Sequence, residues 1–228
     1  MDGILIIDKP AGPTSHDVCQ CVKHALRCRR VGHTGTLDPL ATGVLPLLLN
    51  AATRWAPRFA ADDKEYEATA RFGAATTTYD AEGIVTRAAP VPEDLRERVA
   101  RALPPFRGTI LQVPPPFSAV KHQGRALYRW ARRGETVQAP PRTVEVRECT
   151  LLPGEGWSAD EIRFRIVCGK GTYIRSLIHD LGQAVGCGAH ITALRRIRSG
   201  RFHITEAIPL AAVRSGRPAD PHKMLYKL

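Results

Sequence analysis

Gly32-His33-Thr34-Gly35-Thr36-Leu37-Asp38-Pro39-Leu40-Ala41-Thr42-Gly43-Val44-Leu45-Pro46 decides how the rest of the chain is read. The stretch holds a single acid, Asp38, among glycines, threonines and prolines. Gly32, Gly35 and Gly43 let the backbone reach positive φ and come close to a ligand. Pro39 pushes Asp38 toward extended geometry, so its carboxylate is expected to stand out of a turn rather than lie along a helix. The apolar run Val44 to Leu49 reads as a buried strand that anchors the loop. An isolated Asp-Pro marks only the start of a turn; fifteen ordered positions around it ask for more.

Composition bounds the answer. A chain of 228 residues with 43% hydrophobic content suits one large globular domain, or a domain with a small appendage. The 33 Lys and Arg outnumber the 22 Asp and Glu, leaving a formal charge of +11, which favours a polyanion: nucleic acid first, an anionic membrane surface second. The start, Met-Asp-Gly-Ile-Leu-Ile-Ile-Asp-Lys-Pro, is too short in apolar residues and wrongly flanked for a signal peptide, and no run is long enough to span a bilayer. Cysteines at 19, 21, 28, 149, 168 and 187 include no Cys-x-x-Cys pair. Reduced thiols in a cytoplasmic protein, and no metal site, are expected.

Gly3 to Ile7 predicts a short strand. Thr14 or Ser15 caps a helix with Val18, Val22, Ala25 and Leu26 on its apolar face. A short helix is expected over Ala52 to Ala60. Lys64 to Phe72 alternates as a half-buried strand does, with Tyr66, Ala68, Ala70 and Phe72 on one side. Glu93 to Leu103 is helical, Arg142 to Leu151 and Glu161 to Cys168 are strands, and a helix through Ile174, Leu177, Ile178, Leu181 and Val185 ends at Gly186. Strands at His190 to Ile197 and Phe202 to Thr205 precede a short helix near Ala207 to Arg214. Elements mix without regular βαβ alternation, so the expected class is α+β with a mixed, mostly antiparallel sheet flanked by helices. Gln112 to Arg133 stands apart, with Pro114-Pro115-Pro116 and then a basic amphipathic stretch through Tyr128, Trp130 and Arg133. It reads either as a solvated helix packed through Leu127 and Trp130 or as a mobile arm that closes on RNA.

The loop around Asp38 resembles the active-site motif of the TruB-type tRNA pseudouridine synthases, in which the aspartate is the nucleophile. Further segments resemble family motifs, in family order, over about residues 3 to 205. In Lys64-Glu65-Tyr66 the resemblance makes Tyr66 the tyrosine that stacks on the target base, and a candidate for the proton step at C5. In Gly169 to Arg175 it makes Arg175 the ion-pair partner of the aspartate and Tyr173 a base contact. In Gly188 to Arg196 it makes Leu194 a wall of the base pocket. Each of these residues on its own reads as an ordinary core or turn residue. His33 corresponds to the histidine that fills the gap left by a flipped base. Lys9 matches the lysine of the amino-terminal Lys-Pro motif, to support the loop or to meet a phosphate.

The implied reaction is isomerisation of the uridine at position 55 in the T loop of tRNA. Uracil leaves C1′, turns, and rejoins through C5, with no electrons moved and no atoms added, so no cofactor is expected. Aspartate side chains are ionised near neutral pH and suit the nucleophile's task. The acylal and glycal routes stay open. A catalytic domain over 1–205 with an inserted arm at about 112–133 is expected, then a short tail, 206–228, in place of the PUA domain common in bacterial members. A cytoplasmic monomer acting on the T stem-loop, with no membrane and no guide RNA, is the reading. Two alternatives are a guide-RNA-dependent relative of the dyskerin kind, which lacks the arm, and a non-catalytic RNA-binding or RNA-folding module on the same fold.

Overall fold

The computed structural model describes residues 2–135, 137, 139–153 and 158–215; of the expected tail, 216–228 lie outside the described residues. Two compact units divide the chain, Met1–Tyr66 with Leu194–Leu228, and Glu67–Ala193.

The first unit opens with β1 (Gly3–Lys9), α1 (Ser15–Ala25), β2 (Val31–His33), β3 (Thr42–Leu49), α2 (Ala56–Ala60) and the first residues of β4 (Lys64–Phe72). Strand β1 is apolar almost throughout because both its faces are covered. It pairs antiparallel with β3, from Gly3 opposite Leu49 to Lys9 opposite Gly43. Thr14 caps α1 in a reciprocal box with Asp17, which satisfies two otherwise orphaned donors. On its other edge β3 meets β2 antiparallel at Leu47–Leu49 and β12 (Ala189–Ser199) parallel at Thr42 and Gly43. Pro46 lies between those two pairings, where a residue without an N–H is tolerated. Ile4, Ile6, Val44, Leu48, Ala52 and Phe202 form a core, with Phe59 stacked at a tilt on Phe202, ring centroids 5.8 Å apart.

The second unit carries the rest of β4, then β5 (Ala74–Thr76), β6 (Val85–Ala88), α3 (Leu95–Ala102), β7 (Gly108–Gln112), β8 (Lys121–His122), β9 (Arg125–Ala126), α4 (Leu127–Ala131), β10 (Arg142–Leu151), β11 (Glu161–Cys168), α5 (Ile174–Val185) and the start of β12. Within it β4, β11, β10 and β7 lie in that order. The β10–β11 and β10–β7 pairs are antiparallel. Helix α5 buries Ile174, Leu177, Ile178 and Leu181, and Gly186 ends it in the left-handed conformation at φ 94°. The chain returns to the first unit through the end of β12, β13 (Phe202–His203), β14 (Ile208–Pro209), which runs parallel to β1, and α6 (Leu210–Arg214).

The α+β class with mostly antiparallel pairing and flanking helices is as expected. Several boundaries differ for physical reasons. Ala52 to Ala60 is not one helix: a 3-10 turn covers Asn50–Trp55 and α2 starts anew with Pro57 in its first turn, where a missing N–H costs nothing. Phe202 to Thr205 makes only a two-residue strand before a 3-10 turn capped by His203 and Glu206. The arm is neither a single helix nor a coil but the β8–β9 hairpin followed by α4. Strands β2, β5, β6 and β7 were not expected from the sequence pattern. The cysteines are free thiols, and burial pushes the Cys149 thiol up to about 12.

Candidate active site

In the first unit the Asp38 carbonyl accepts the Ala41 N–H at 3.1 Å, closing a turn with Pro39 at its second position. Asp-Pro therefore does mark a turn. What distinguishes this turn is how many side chains hold it from outside. Lys9 is fully buried, and its ammonium donates to the carbonyls of Pro10 (2.9 Å), Pro39 (3.1 Å) and Ala41 (2.7 Å). Three donors meet three acceptors on the turn and its neighbour. Buried Ser15, first residue of α1, donates to the Leu37 carbonyl (2.9 Å) and accepts the Leu37 N–H (2.8 Å). Gly12 N–H reaches Pro39 O at 2.9 Å. The residues flanking Asp38 on both sides are thus fixed to β1, to the β1–α1 connection and to α1.

Arg196 completes the frame. It is 1% exposed; its Nε donates to Val44 O at 2.7 Å and Nη2 to Gly35 O at 3.1 Å. The registers place Lys9, Gly43 and Arg196 in one row across β1, β3 and β12. Gly43 has φ +100°, and a Cβ there would sit 2.2 Å from Arg196 O, so only glycine fits between the two cationic residues. Arg195, next along β12, turns to the other face and forks onto the Asp8 carboxylate at 3.1 and 2.8 Å.

Lys9 is therefore a support of the Asp38 turn, the first of the two roles the sequence left open. His33 ends β2, half-buried, with its Nδ1 buried and without a hydrogen-bond partner among the described residues. Burial, with Arg196 and His16 adding repulsion, holds its pKa below the usual imidazole value, so the ring is neutral near pH 7. A neutral ring suits stacking on a base better than ion pairing. Tyr66 and Leu194 belong to the same unit and are 8% and 7% exposed. The Leu194 carbonyl accepts from Thr42 Oγ1 at 3.5 Å.

Tyr173 and Arg175 lie in the second unit, at the start of α5. Arg175 is buried; Nη1 donates to Thr78 O (2.8 Å), Nη2 donates to Phe117 O (3.0 Å), and Asp80 Oδ2 lies 3.7 Å from Nη1. Asp80 is 4% exposed and was missed in the sequence. Its carboxylate takes the Thr78 hydroxyl and the Glu82 N–H, while Thr76 Oγ1 bonds its carbonyl at 2.7 Å. Thr76-Thr77-Thr78-Tyr79-Asp80-Ala81-Glu82-Gly83 carries the composition of a side-chain-closed turn, the one signal that was available. Gly83 is required because a Cβ would meet Thr78 Oγ1 at 2.4 Å.

The base of the arm is sewn to the same helix start. Gln112 donates to Tyr173 O (3.0 Å) and accepts Tyr173 N–H (2.8 Å), and Ser176 Oγ donates to Val113 O (2.8 Å). With Arg175 on Phe117 O, three residues of α5 and its cap are each tied to the segment leading into the arm. Beyond it, Val120, Leu127 and Ala139 form a small core against which Tyr173 and Val137 pack. The arm's cations sit over aromatic rings: Arg125 lies 4.6 Å from the Trp130 centroid and Arg132 5.4 Å from that of Tyr128. Among the described residues there is no cluster of His, Cys, Asp and Glu that could hold a metal, and no helix is long and apolar enough to cross a membrane.

Comparison with known proteins identifies the family. Residues 23–174 match the family described as TruB family pseudouridylate synthase (N terminal domain), and residues 175–217 match tRNA pseudouridylate synthase B C-terminal domain. The chain is 50% identical over 218 residues to "tRNA pseudouridine synthase B" of Syntrophus aciditrophicus, covering 95% of this chain and 68% of that protein. It is 46% identical over its whole length to the protein of that name from Sodalis glossinidius, of which it covers 72%. Among solved structures, "Crystal Structure of a Cbf5-Nop10-Gar1 Complex" superposes with TM-score 0.71 at 36% identity over 93% of this chain, which spans about half (54%) of that one. The chain belongs to the TruB family of pseudouridylate synthases.

Proposed function

We infer that this chain converts uridine to pseudouridine in tRNA, at position 55 of the T loop, acting alone on the T stem-loop as a cytoplasmic monomer without a guide RNA. The observation that carries the chemistry is the Asp38 turn, whose flanking carbonyls are held by buried Lys9 and Ser15. A nucleophile must meet C1′ or the base within a few tenths of an ångström, and positional freedom removed during folding need not be removed at reaction. Asp38 is the nucleophile. Arg175 is its counter-charge, aimed by Asp80 and by two fixed carbonyls. Tyr66 stacks on the extracted base and serves the proton step at C5; Tyr173 and Leu194 wall the pocket. His33, neutral and flat, fills the place of the flipped base.

Residues 1–205 act as the catalytic domain, with 112–133 as the RNA-gripping arm and 206–228 as the tail. The presence of that arm, with its aromatic-backed arginines, supports the stand-alone mode over guide-RNA dependence. The decisive experiment is Asp38→Asn on unmodified tRNA, with pseudouridine mapped by carbodiimide-primed reverse transcription. The expected outcome is no product at position 55 and tRNA binding within a few-fold of wild type, since affinity rests on phosphate contacts. Turnover by that variant, free of wild-type enzyme, removes Asp38 from its role.

A further inference from the structure

A second group of cations in the first unit has no part in the site described. Lys23, Arg27, Arg29 and Arg30 follow one another without an intervening acid, and the segment from Asn50 to Ala60 adds Arg54 and Arg58, again with no acid. The fold brings the two segments together. Asn50 Oδ1 accepts the N–H groups of both Arg29 (2.8 Å) and Arg30 (3.1 Å), and Asn50 N–H donates to Arg30 O at 2.8 Å. The 3-10 turn that starts at Asn50 then lies along β2, with Thr53 Cγ2 3.8 Å from the place a Cβ on Gly32 would take. It ends at Trp55, 37% exposed, with the Arg54 guanidinium 5.7 Å from the ring centroid.

The backbone donors of Arg29 and Arg30 are consumed by Asn50, so what this surface offers outward is side chains. Arg27, Arg29, Arg30, Arg54 and Arg58 are all exposed, and none has a carboxylate within ion-pair distance among the described residues. On β4 and β11, by contrast, arginines are matched to acids: Arg71 to Asp160 and Glu161, Arg163 to Glu67, Arg165 to Glu148. Among the described residues, the Asp2 carboxylate is tied to this surface, where it accepts the Ala51 N–H at 3.1 Å. The dipole of α1 accounts for Lys23 and His24 in its last turn but not for cations beyond it. Arg27 stands at φ 50°, where a helix end ordinarily takes glycine, so a charged side chain is kept there at some backbone cost.

We propose that Arg29, Arg30, Arg54 and Arg58, with Trp55 among them, form an RNA-docking ledge that grips the sugar–phosphate backbone of the substrate beyond the target loop. Arg30 adjoins β2, and at a rise of about 3.3 Å per residue it lies about 10 Å along the strand from His33. An RNA whose flipped base is replaced by His33 therefore continues over the ledge. Unpaired guanidiniums fit phosphates as bidentate donors, and a half-exposed tryptophan offers a face to a ribose or an unstacked base.

The proposal rests on RNA being the substrate, and its test separates the two. Wild type and Arg29→Gln/Arg30→Gln/Arg54→Gln are compared by filter binding to unmodified tRNA and to an isolated T-arm hairpin across salt concentrations. The expected result is a salt slope smaller by about 2 to 3, at roughly 0.9 per duplex phosphate contact, and binding at least tenfold weaker at low salt. The single-turnover rate at saturating RNA stays at the wild-type value, because the ledge does not touch the reacting base. A change with tRNA alone places the ledge outside the T arm; a change with both places it on the T stem. If circular dichroism shows the triple variant misfolded, Trp55→Ala against Trp55→Phe decides, with at least fivefold weaker binding expected for alanine and rescue by phenylalanine. An unchanged slope, or no loss in Trp55→Ala, overturns the ledge. So does loss of binding to phosphatidylglycerol vesicles with tRNA binding intact. Failure of wild type to bind tRNA at all overturns the substrate reading instead.

Discussion

The turn bearing Asp38 is half-buried and Arg175 at the start of α5 is buried, and the two are held in opposite ways. The Asp38 turn is gripped from behind by side chains of the core: Lys9 on β1 and Ser15 on α1 hold carbonyls in and beside it, Arg196 on β12 holds Gly35 and Val44 to either side, and all three side chains are buried. The start of α5 is tied instead to the chain that leads into an exposed basic hairpin, through Gln112, Val113 and Phe117. The first arrangement is rigid because moving the turn leaves buried carbonyls unpaired. The second joins Tyr173 and Arg175 to the base of the arm by direct hydrogen bonds. One unit fixes the turn that bears Asp38; the other ties the start of α5 to the base of the arm.

The comparison breaks most visibly at Lys9. Lys9→Met strips a donor from three carbonyls; Pro39 O keeps the Gly12 N–H, while those of Pro10 and Ala41 lose theirs, at about 1–3 kcal/mol for each group that stays unpaired. A loss of about 3–5 kcal/mol in stability is expected, with turnover falling alongside, measured by thermal unfolding and single-turnover assays. Unchanged stability with a reduced salt slope would make Lys9 a phosphate ligand and the grip illusory. Next is Arg175→Lys. A lysine cannot reach Thr78 O, Phe117 O and Asp80 with the spread of a planar guanidinium. A drop in kcat on the order of 100-fold, about 2.7 kcal/mol, with circular dichroism unchanged, is the expected outcome; equal loss of fold and activity would make it a structural residue only.

Gln112→Leu sharpens the second half of the comparison. It keeps the bulk but strips both bonds to the Tyr173 backbone. A fall in kcat of roughly tenfold, about 1.4 kcal/mol, is expected, and the arm variant Arg129→Ala/Arg132→Ala/Arg133→Ala should then cost less rate in the Gln112→Leu background than alone. Simple additivity of the two would falsify the mechanical link. The smallest effect concerns His33. Its folded pKa lies below the unfolded value of about 6.5, so the unfolded chain binds more protons in that window and stability falls as pH drops below about 6.5. His33→Asn should flatten that decline by less than about 1 kcal/mol in urea titrations at pH 7 and pH 5.5, and an unaltered pH dependence would show that the ring is not held neutral.

Local chemistry was legible wherever it has one period or one partner nearby. β1, β3, β4, β10, β11 and α5 lie where apolar spacing placed them, and Thr14 and Gly186 bound their helices as read. Short strands such as β2, β5 and β7 were not visible, because three to five residues carry too little periodicity to stand apart from a loop. The arm's hairpin went unread because its basic amphipathic stretch suits a helix as well. Tandem Arg195-Arg196 in a strand did hold a clue. Alternation must send one outward and one inward, and an inward arginine needs a reason.

What the sequence by itself determined is the Asp38 turn and its likeness to one family, since Gly, Asp and Pro impose their backbone angles without help from elsewhere. What only the tertiary structure decided is which residues hold that turn and that arginine. Lys9, Gly43 and Arg196 are far apart in the chain and meet because β1, β3 and β12 pair in one register. Asp80 and Arg175 meet because a threonine-closed turn stands beside α5. Buried polar groups must find partners or weaken the fold, and which partners are near is a property of strand pairing and packing that no local spacing records.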